Sequence, residues 1–287
     1  GSCCADRYNT VGTQGQYQTV LDDMSPEATQ ALATNLANVS DSILGAAMSC
    51  PAFEGTTTLL TEGSCIWAQS GGDITRRFDA DSRVSRVVTS FGGQKELDNG
   101  WALGGTFGFA ALNAKGNTYS GSGTDYYGSV ALKRVVGPWT FAGALAGGVG
   151  DYSINRVVQT DGSSLTAEPD AYLVGARARV AYDFAYKNSY IRPTMDLDLT
   201  YLNTATYRES GTSAFALAVD ESDQVNAVFA PSVEFGFRRN MADDFILRGY
   251  VSGGAAFAAR DGRSVSAALI GATSDNAFRV NIDTPNV

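Results

Sequence analysis

The sequence predicts an all-β protein, a transmembrane antiparallel up-and-down β-barrel with one α-helix near its N-terminus. The first observation is the segment YIRPTMDLDLTYLNTATYRESG at residues 190–211, whose first half alternates apolar and polar residues with the period of a β-strand. Its polar face carries Arg192, Asp196 and Asp198, which a dry core would not normally hold. In a transmembrane barrel, apolar residues meet lipid and polar residues meet a wet interior. The second observation is that short turns alternate with longer polar connections.

Strands of this kind follow one another from Ile66 onward. They reach the ~9–11 residues that a tilted membrane strand needs, and several extend past that length. Pro193 lies on the apolar face of its strand and lacks a backbone N–H, which predicts a local irregularity there. No window holds the roughly 18 apolar residues of a spanning helix, so a membrane would be crossed by strands. The predicted strands are 66–78, 84–97, 101–113, 126–136, 139–155, 172–184, the first half of 190–211, 227–237 and 245–257.

The connections differ in length on the two sides of the predicted sheet. Short turns rich in Gly, Asn and Asp alternate with longer polar loops, an asymmetry that is typical of outer-membrane barrels. The short turns are 98–100, 137–138, 187–189 and 239–244. The longer loops are 114–124, 159–169 and 259–275.

A helix is predicted over residues 25–48, because Ser25 can cap it and Pro26 suits its first position. One face is apolar, and the opposite face is polar but almost free of full charges, which indicates a confined polar space rather than open water. An ordinary helix packed on a sheet remains the alternative. Residues 1–24 show little periodicity and are predicted to be loosely ordered. The residues of the two helix faces are Leu32, Leu36, Val39 and Ile43, and Asn35, Asn38 and Ser42.

Cys50 and Cys65 bracket a turn-rich stretch, and a disulfide closing such a loop would contribute roughly 3 kcal/mol. That bridge would imply an oxidising compartment, whereas two free thiols are the alternative. No role is predicted for Cys3 and Cys4.

Charge and composition exclude several functions. The net charge is −9 at pH 7, the sequence pI is about 4.5 and no basic run occurs, so no nucleic-acid partner is expected. The chain has no histidine, which removes Ser-His-Asp catalysis and the commonest metal ligand. We therefore predict a protein that is not an enzyme and that has neither a cofactor nor a metal site.

Three segments resemble the C-terminal translocator domain of bacterial autotransporters, the type V secretion family. They are LDDMSPEATQAL at the start of the helix, the step from SC to SCIWAQSGG into the first strand, and RPTMDLDLTYLNTATYRESG. The last carries the Arg-Pro, Tyr and Tyr-x-Glu-x-Gly residues typical of the family. In this chain they are Arg192, Pro193, Tyr201, Tyr207, Glu209 and Gly211.

The resemblance implies an outer-membrane barrel that anchors an N-terminal passenger and exports it to the cell surface. It also implies a helix inside the lumen, outer-membrane lipid and the barrel assembly machinery as partners, and a passenger linked covalently upstream. The expected domain at 25–287 comprises the helix at 25–48, a cysteine loop at 50–65 and barrel strands at 66–287. The family plan has about twelve strands and about ten are represented here, so the chain is expected to stop before the last strands.

The polar faces of three strands supply the residues expected to line the lumen. Their role is either to seat the helix or simply to pair with one another, and both interpretations stay open. The alternative functions are an outer-membrane enzyme, or a self-cleaving autotransporter that would use Asn35 or Asn38 beside a lumenal Asp. A soluble binding barrel is disfavoured by the charges opposite each apolar face. The lumen-lining candidates are Arg177, Arg179, Asp183, Arg192, Asp196, Asp198, Glu234 and Arg238.

Overall fold

The structure is a computed structural model dominated by one curled antiparallel sheet, as predicted. It describes residues 14–24, 43–48, 63–77, 82–242, 245–260, 263–271 and 277–282. Within these ranges, no helix is both long and apolar enough to cross a membrane.

In the described part of the chain, two helical segments precede the strands. Helix α1 comprises Gln14–Asp23, residues 43–48 are helical, and Asp98–Gly100 form a single 3₁₀ turn. The strands, in chain order, are β1 Cys65–Arg77, β2 Ser82–Glu96, β3 Trp101–Lys115, β4 Tyr119–Val136, β5 Trp139–Val157, β6 Ser164–Ala167, β7 Asp170–Tyr182, β8 Phe184–Tyr186, β9 Ser189–Thr204, β10 Tyr207–Arg208, β11 Leu217–Val219, β12 Ser222–Ala242, β13 Phe245–Gly254, β14 Phe257–Arg260, β15 Arg263–Leu269 and β16 Phe278–Ile282.

The main sheet runs in the order β1, β2, β3, β4, β5, β7, β9, β12, β13, and every pair is antiparallel. Neighbours in sequence are therefore neighbours in space, the up-and-down arrangement that was predicted. The tight turn after β2 uses Asn99 and Gly100, whose φ values of 61° and 75° lie in the left-handed region that Asn and Gly tolerate best. In the described residues, no pairing joins β1 to β13.

Pro193 causes the predicted irregularity on one side only. β7 pairs with β9 up to Ala181 opposite Thr194, and β8 resumes the pairing at Phe184 opposite Ile191, in unchanged register. The interruption therefore lies opposite Pro193, which has no N–H to donate to the ladder. On its other side, Pro193 stays in register with Val233 of β12.

The predicted long loops are wrong in extent. Residues 114–124 are mostly strand, because β3 and β4 leave only 116–118 between them. Within 159–169, the four residues Ser164–Ala167 form strand β6, which pairs with β5, and most of the described part of 259–275 is strand β15. Gly and Ser in these segments suggest loops, yet small residues also suit strands against which larger side chains pack.

A second sheet lies beyond the ends of the main strands, and the sequence did not indicate it. The connection at 205–221 folds into the hairpin β10–β11, which pairs with β15, and β15 pairs with β16. Residues of this sheet form their own buried cluster, which includes Leu217 and Val265.

The prediction of a loosely ordered segment at 1–24 does not hold for α1, which is helical and buries Val20 and Asp23. The predicted helix at 25–48 is described only at 43–48. Leu32, Asn35, Leu36, Asn38, Val39 and Ser42 lie outside the described residues.

Burial alternates along most of β3, β5, β7 and β9 in the inverted sense that the sequence predicts. On β9, Asp196 and Asp198 are 8% and 7% exposed, whereas Leu197 and Leu199 are 50% and 51% exposed. Outward-facing apolar side chains continue this band on neighbouring strands. They include Phe107, Val130, Leu145, Val174, Phe235 and Phe237.

Candidate functional site

The polar inner face of the sheet carries two parallel ion pairs between β7 and β9. Arg177 donates to both carboxylate oxygens of Asp198 at 2.6 and 2.7 Å, and Arg179 donates to both of Asp196 at 2.7 Å. Each pair joins directly opposite residues of the two strands. Arg177 also lies 3.9 Å from Asp196, which links the two pairs. Such two-bond Arg–carboxylate contacts fix both side chains in direction.

A second group lies nearer the short turns. Arg192 donates to Asp183 at 2.5 and 3.0 Å, and Tyr190 donates to Glu234 at 2.5 Å. Glu234 is the direct neighbour of Arg192 on β12, and Arg238 of the same strand is also buried. The predicted lumen-lining residues thus all lie on the inner face, and each of the three arginines Arg177, Arg179 and Arg192 pairs with a carboxylate.

Glycines let inner-face tyrosines lie flat against the sheet. A Cβ atom on Gly236 would collide with the ring of Tyr190, and one on Gly108 would collide with that of Tyr127. Tyr127 hydrogen-bonds Ser90 at 2.9 Å. The glycine content of the strands therefore leaves room for large side chains inside a crowded wall.

The helical segment 43–48 packs against the inner face. Ile43 and Leu44 are 2% and 0% exposed. They form one cluster with small residues of β3, β4 and β5. The cluster comprises Ile43, Leu44, Ala47, Met48, Ala110, Tyr127, Ala131, Ala144 and Ala146. The described end of the predicted helix therefore lies against the face of the sheet that carries the ion pairs, and its placement in the lumen stays a prediction.

Polar contacts to this segment are made through its backbone. Ser129 donates to the carbonyl of Ile43 at 3.3 Å, and Lys133 donates to the carbonyl of Met48 at 3.2 Å. A cation at the last carbonyls of a helix also interacts favourably with the helix dipole. Gly104 makes the approach possible, since a Cβ there would lie 2.5 Å from the carbonyl oxygen of Ala47. Arg177 reaches the segment as well, 3.3 Å from where a Cβ on Gly45 would lie.

The family-motif residues beyond β9 hold the second sheet to the main one. Tyr207 is buried within the cluster of the second sheet. Glu209 accepts two hydrogen bonds from Arg156 of β5 at 2.8 and 2.6 Å, and the backbone N–H of Leu217 donates to it at 2.9 Å. A Cβ on Gly211 would collide with Leu165, so the close approach there requires glycine. Tyr201, by contrast, faces outward and donates to Asp223 at 2.6 Å.

The chain enters the sheet at the end that carries the short turns. Gly63 accepts a hydrogen bond from Gln94 at 3.1 Å, and Ser64 accepts one from the backbone of Glu96 at 2.9 Å. Cys65 follows as the first residue of β1 and is disulfide-bonded. Its partner lies outside the described residues, so pairing with Cys50 stays a prediction.

We expect peptide mapping under non-reducing conditions to recover a Cys50–Cys65 peptide. The Cys50→Ser change should then leave Cys65 titratable by a thiol reagent after denaturation. Its cost in unfolding free energy should be roughly 3 kcal/mol, set by the length of the closed loop. A peptide that joins Cys65 to Cys3 or Cys4 would contradict the pairing.

Sequence reasoning missed the contacts that hold upstream segments. Ser129, Lys133 and Arg156 were not predicted, because they recognise backbone carbonyls or residues far away in the sequence. Asp125, which accepts from Tyr152 at 2.5 Å, and Arg86, which pairs with Asp73 at 2.6 Å, were missed too. The sequence indicates these residues only by their place in the alternating pattern, at strand positions whose side chains face the inner side of the sheet. In the described part of the chain, no group of three metal-ligating side chains occurs.

A polar inner wall, an apolar outer band and turns of unequal length define an outer-membrane β-barrel. A family model for the autotransporter beta-domain matches residues 66–286, and the chain belongs to this family. It is the outer-membrane translocator barrel of an autotransporter and serves passenger export in Gram-negative bacteria.

Solved structures that share the fold include two autotransporter domains. The translocator domain of the autotransporter NalP from Neisseria meningitidis is 12% identical, with a TM-score of 0.62 over 88% of this chain and 94% of that one. The beta domain of the Bordetella autotransporter BrkA is 18% identical, with a TM-score of 0.56 over 72% and 87%. No curated protein gives a significant match.

Proposed function

We propose that the inner wall seats the segment upstream of β1 and so holds a covalently linked passenger at the cell surface. The observation that carries this proposal is the burial of residues 43–48 against the wall, with backbone carbonyls bound by Ser129 and Lys133. Contacts to backbone carbonyls do not depend on side-chain identity. A wall of Ala and Gly can therefore hold a helix without requiring particular side chains on that helix.

The direction of the chain supports export toward the side with the longer connections. α1 contacts residues that follow β5, at the end of the sheet with the longer connections. Residues 43–48 contact Lys133, closer to the end with the short turns, and Ser64 lies beside the short turn after β2. In outer-membrane barrels, the short turns face the periplasm and the longer loops face outward. α1, the first described segment, therefore lies at the end of the sheet that would face the cell surface.

The outer band implies two further partners. Apolar residues such as Phe107, Leu197 and Phe235 are about half exposed and would meet outer-membrane lipid. A sheet that must insert with its backbone groups paired would need the barrel assembly machinery. We assign both partners to this outward surface.

The domain performs no chemistry in this proposal. Export needs a wall that holds water and a chain, and the inner-face carboxylates already accept hydrogen bonds from arginine or tyrosine. Asn35 and Asn38, the residues considered for self-cleavage, lie outside the described residues. The half-exposed apolar band disfavours a soluble barrel.

The test is protease treatment of intact cells that express the full-length protein. We expect the passenger upstream of residue 14 to be digested while the barrel stays protected. The Gly104→Val change should lower the digested fraction, because overpacking against Ala47 costs about 1–3 kcal/mol in seating the segment. Gly105→Val is the matched control, since its Cβ meets only the carbonyl of Ser129 at 3.6 Å. A native passenger that resists protease would refute the proposal.

A further inference from the structure

Arg156 joins three separate parts of the chain at the outer end of the wall. It lies at the end of β5 and is 5% exposed. Besides its pair with Glu209, it donates to the carbonyl of Phe215 at 3.0 Å and to the carbonyl of Asp23 at 2.6 Å. Asp23 is the last residue of α1, so the guanidinium meets the negative end of that helix.

The Asp23 side chain binds the same region through a second set of contacts. Its carboxylate accepts from the backbone N–H of Gln159 at 2.7 Å and from that of Thr160 at 2.8 Å. The hydroxyl of Thr160 donates as well, at 2.5 Å. Asp23 is only 2% exposed, whereas its neighbour Asp22 is exposed. The loop after β5 thus surrounds one particular carboxylate of α1.

Apolar packing adds a third contact. Val20 of α1 is buried in a cluster with Val158, Leu165, Phe215 and Ala216. The rest of the helix is solvated, with Tyr17 and Leu21 at 47% and 37% exposed. A ten-residue helix is marginal on its own in water. The order of α1 therefore depends on these contacts at its C-terminal end.

We propose that Asp23, Arg156 and Glu209 form a latch that arrests the linker at one register once the passenger has left the barrel. This rests on the proposed function, because only an exported upstream chain brings α1 to the outer mouth. The latch cannot form at another register, since neither the Asp23 carboxylate nor the α1 carbonyl end would then reach β5 and its loop. Asp23 and Arg156 act here as positioning residues that keep the linker from sliding.

Hydrogen exchange on the purified chain in lipid tests the latch. In Asp23→Ala, the amides of α1 should exchange roughly tenfold faster, the size expected for losing hydrogen bonds to a charged acceptor. Asp22→Ala is the matched control and should exchange as the native chain does, since among the described residues the Asp22 carboxylate hydrogen-bonds Gln18 of the same helix, at 3.3 Å, and no residue of the sheet. Asp23→Asn keeps the shape and one acceptor oxygen, so a smaller acceleration is expected, and this variant replaces Asp23→Ala if the latter does not assemble. Equal exchange in all variants would overturn the latch.

Channel current across a planar bilayer separates arrest of the linker from local packing. A released linker should let the current fluctuate between levels more often in Asp23→Ala than in Asp22→Ala. Faster exchange of α1 with an unchanged current would mean that the Asp23 contacts stabilise α1 only locally. That outcome would overturn the proposal that they arrest the linker. Protease treatment of cells keeps the two proposals distinct. An exported passenger with an unaffected α1 refutes the latch alone, whereas a native passenger that is not exported refutes the proposed function.

Discussion

Replacing Leu197 by arginine is expected to destabilise the protein in lipid, lowering its free energy of unfolding by about 2–4 kcal/mol. Leu197 lies near the middle of β9, is 50% exposed and faces away from the ion pairs. Its cross-strand neighbours are Ala178 and Phe229, so the arginine would project from an apolar band. A charge at the bilayer midplane loses its hydration, and this cost sets the size of the effect.

The measurement is a urea titration of the barrel in lipid vesicles, followed by tryptophan fluorescence. Ile191→Arg is the matched control, because Ile191 is on the same face of the same strand but close to the short turn at 187–188. We expect a cost of about 0–1 kcal/mol there, where the side chain can reach the interface. Equal costs at the two positions would contradict a membrane around this face.

The assignment of faces was predictable because a β-strand repeats every two residues. Once one face of β9 carries Asp196 and Asp198 and the other Leu197 and Leu199, a single decision about which face meets lipid fixes the orientation of the sheet. Pairing in chain order follows from short connections. The structure agrees with both.

Strand ends and the second sheet were not predictable by the same reasoning. Tyr119 to Thr124 contains Ser and Gly at positions that propensity assigns to loops. In the structure, Gly123 makes room for the ring of Tyr152, a contact from another strand that its own sequence does not reveal. The Arg156–Glu209 pair that anchors the second sheet joins residues 53 positions apart. Tertiary contacts, rather than local pattern, decide these elements.

The inner-face charges were predicted either to seat the helix or to pair with one another, and the structure contains contacts of both kinds. Arg179 and Asp196 pair within the wall, whereas the carbonyls of the helical segment are bound by Ser129 and Lys133. Arg177 pairs with Asp198 and also lies beside Gly45 of the helical segment. The uncharged polar face of the predicted helix indicates a confined polar site. It does not indicate that side chains of the wall bind the backbone carbonyls of the helix.

Replacing Arg177 by methionine is expected to cost about 3–5 kcal/mol, because it leaves the Asp198 carboxylate buried without its arginine. The two side chains are 4% and 10% exposed, so water cannot readily take the place of the guanidinium. The double change Arg177→Met with Asp198→Leu should recover most of that loss, since removing both charges also removes the cost of desolvating them. The same urea titration measures all three proteins.

Arg179→Met provides the matched control one ladder step away. Arg177 lies 3.9 Å from Asp196 and still faces that carboxylate after the change, so we expect a smaller loss than for Arg177→Met. A lumen filled freely with water would reduce both single changes to about 0–1 kcal/mol and leave nothing for the double change to recover. That outcome would contradict a close-packed wall, and Arg177 would then not hold the helical segment by rigid pairing.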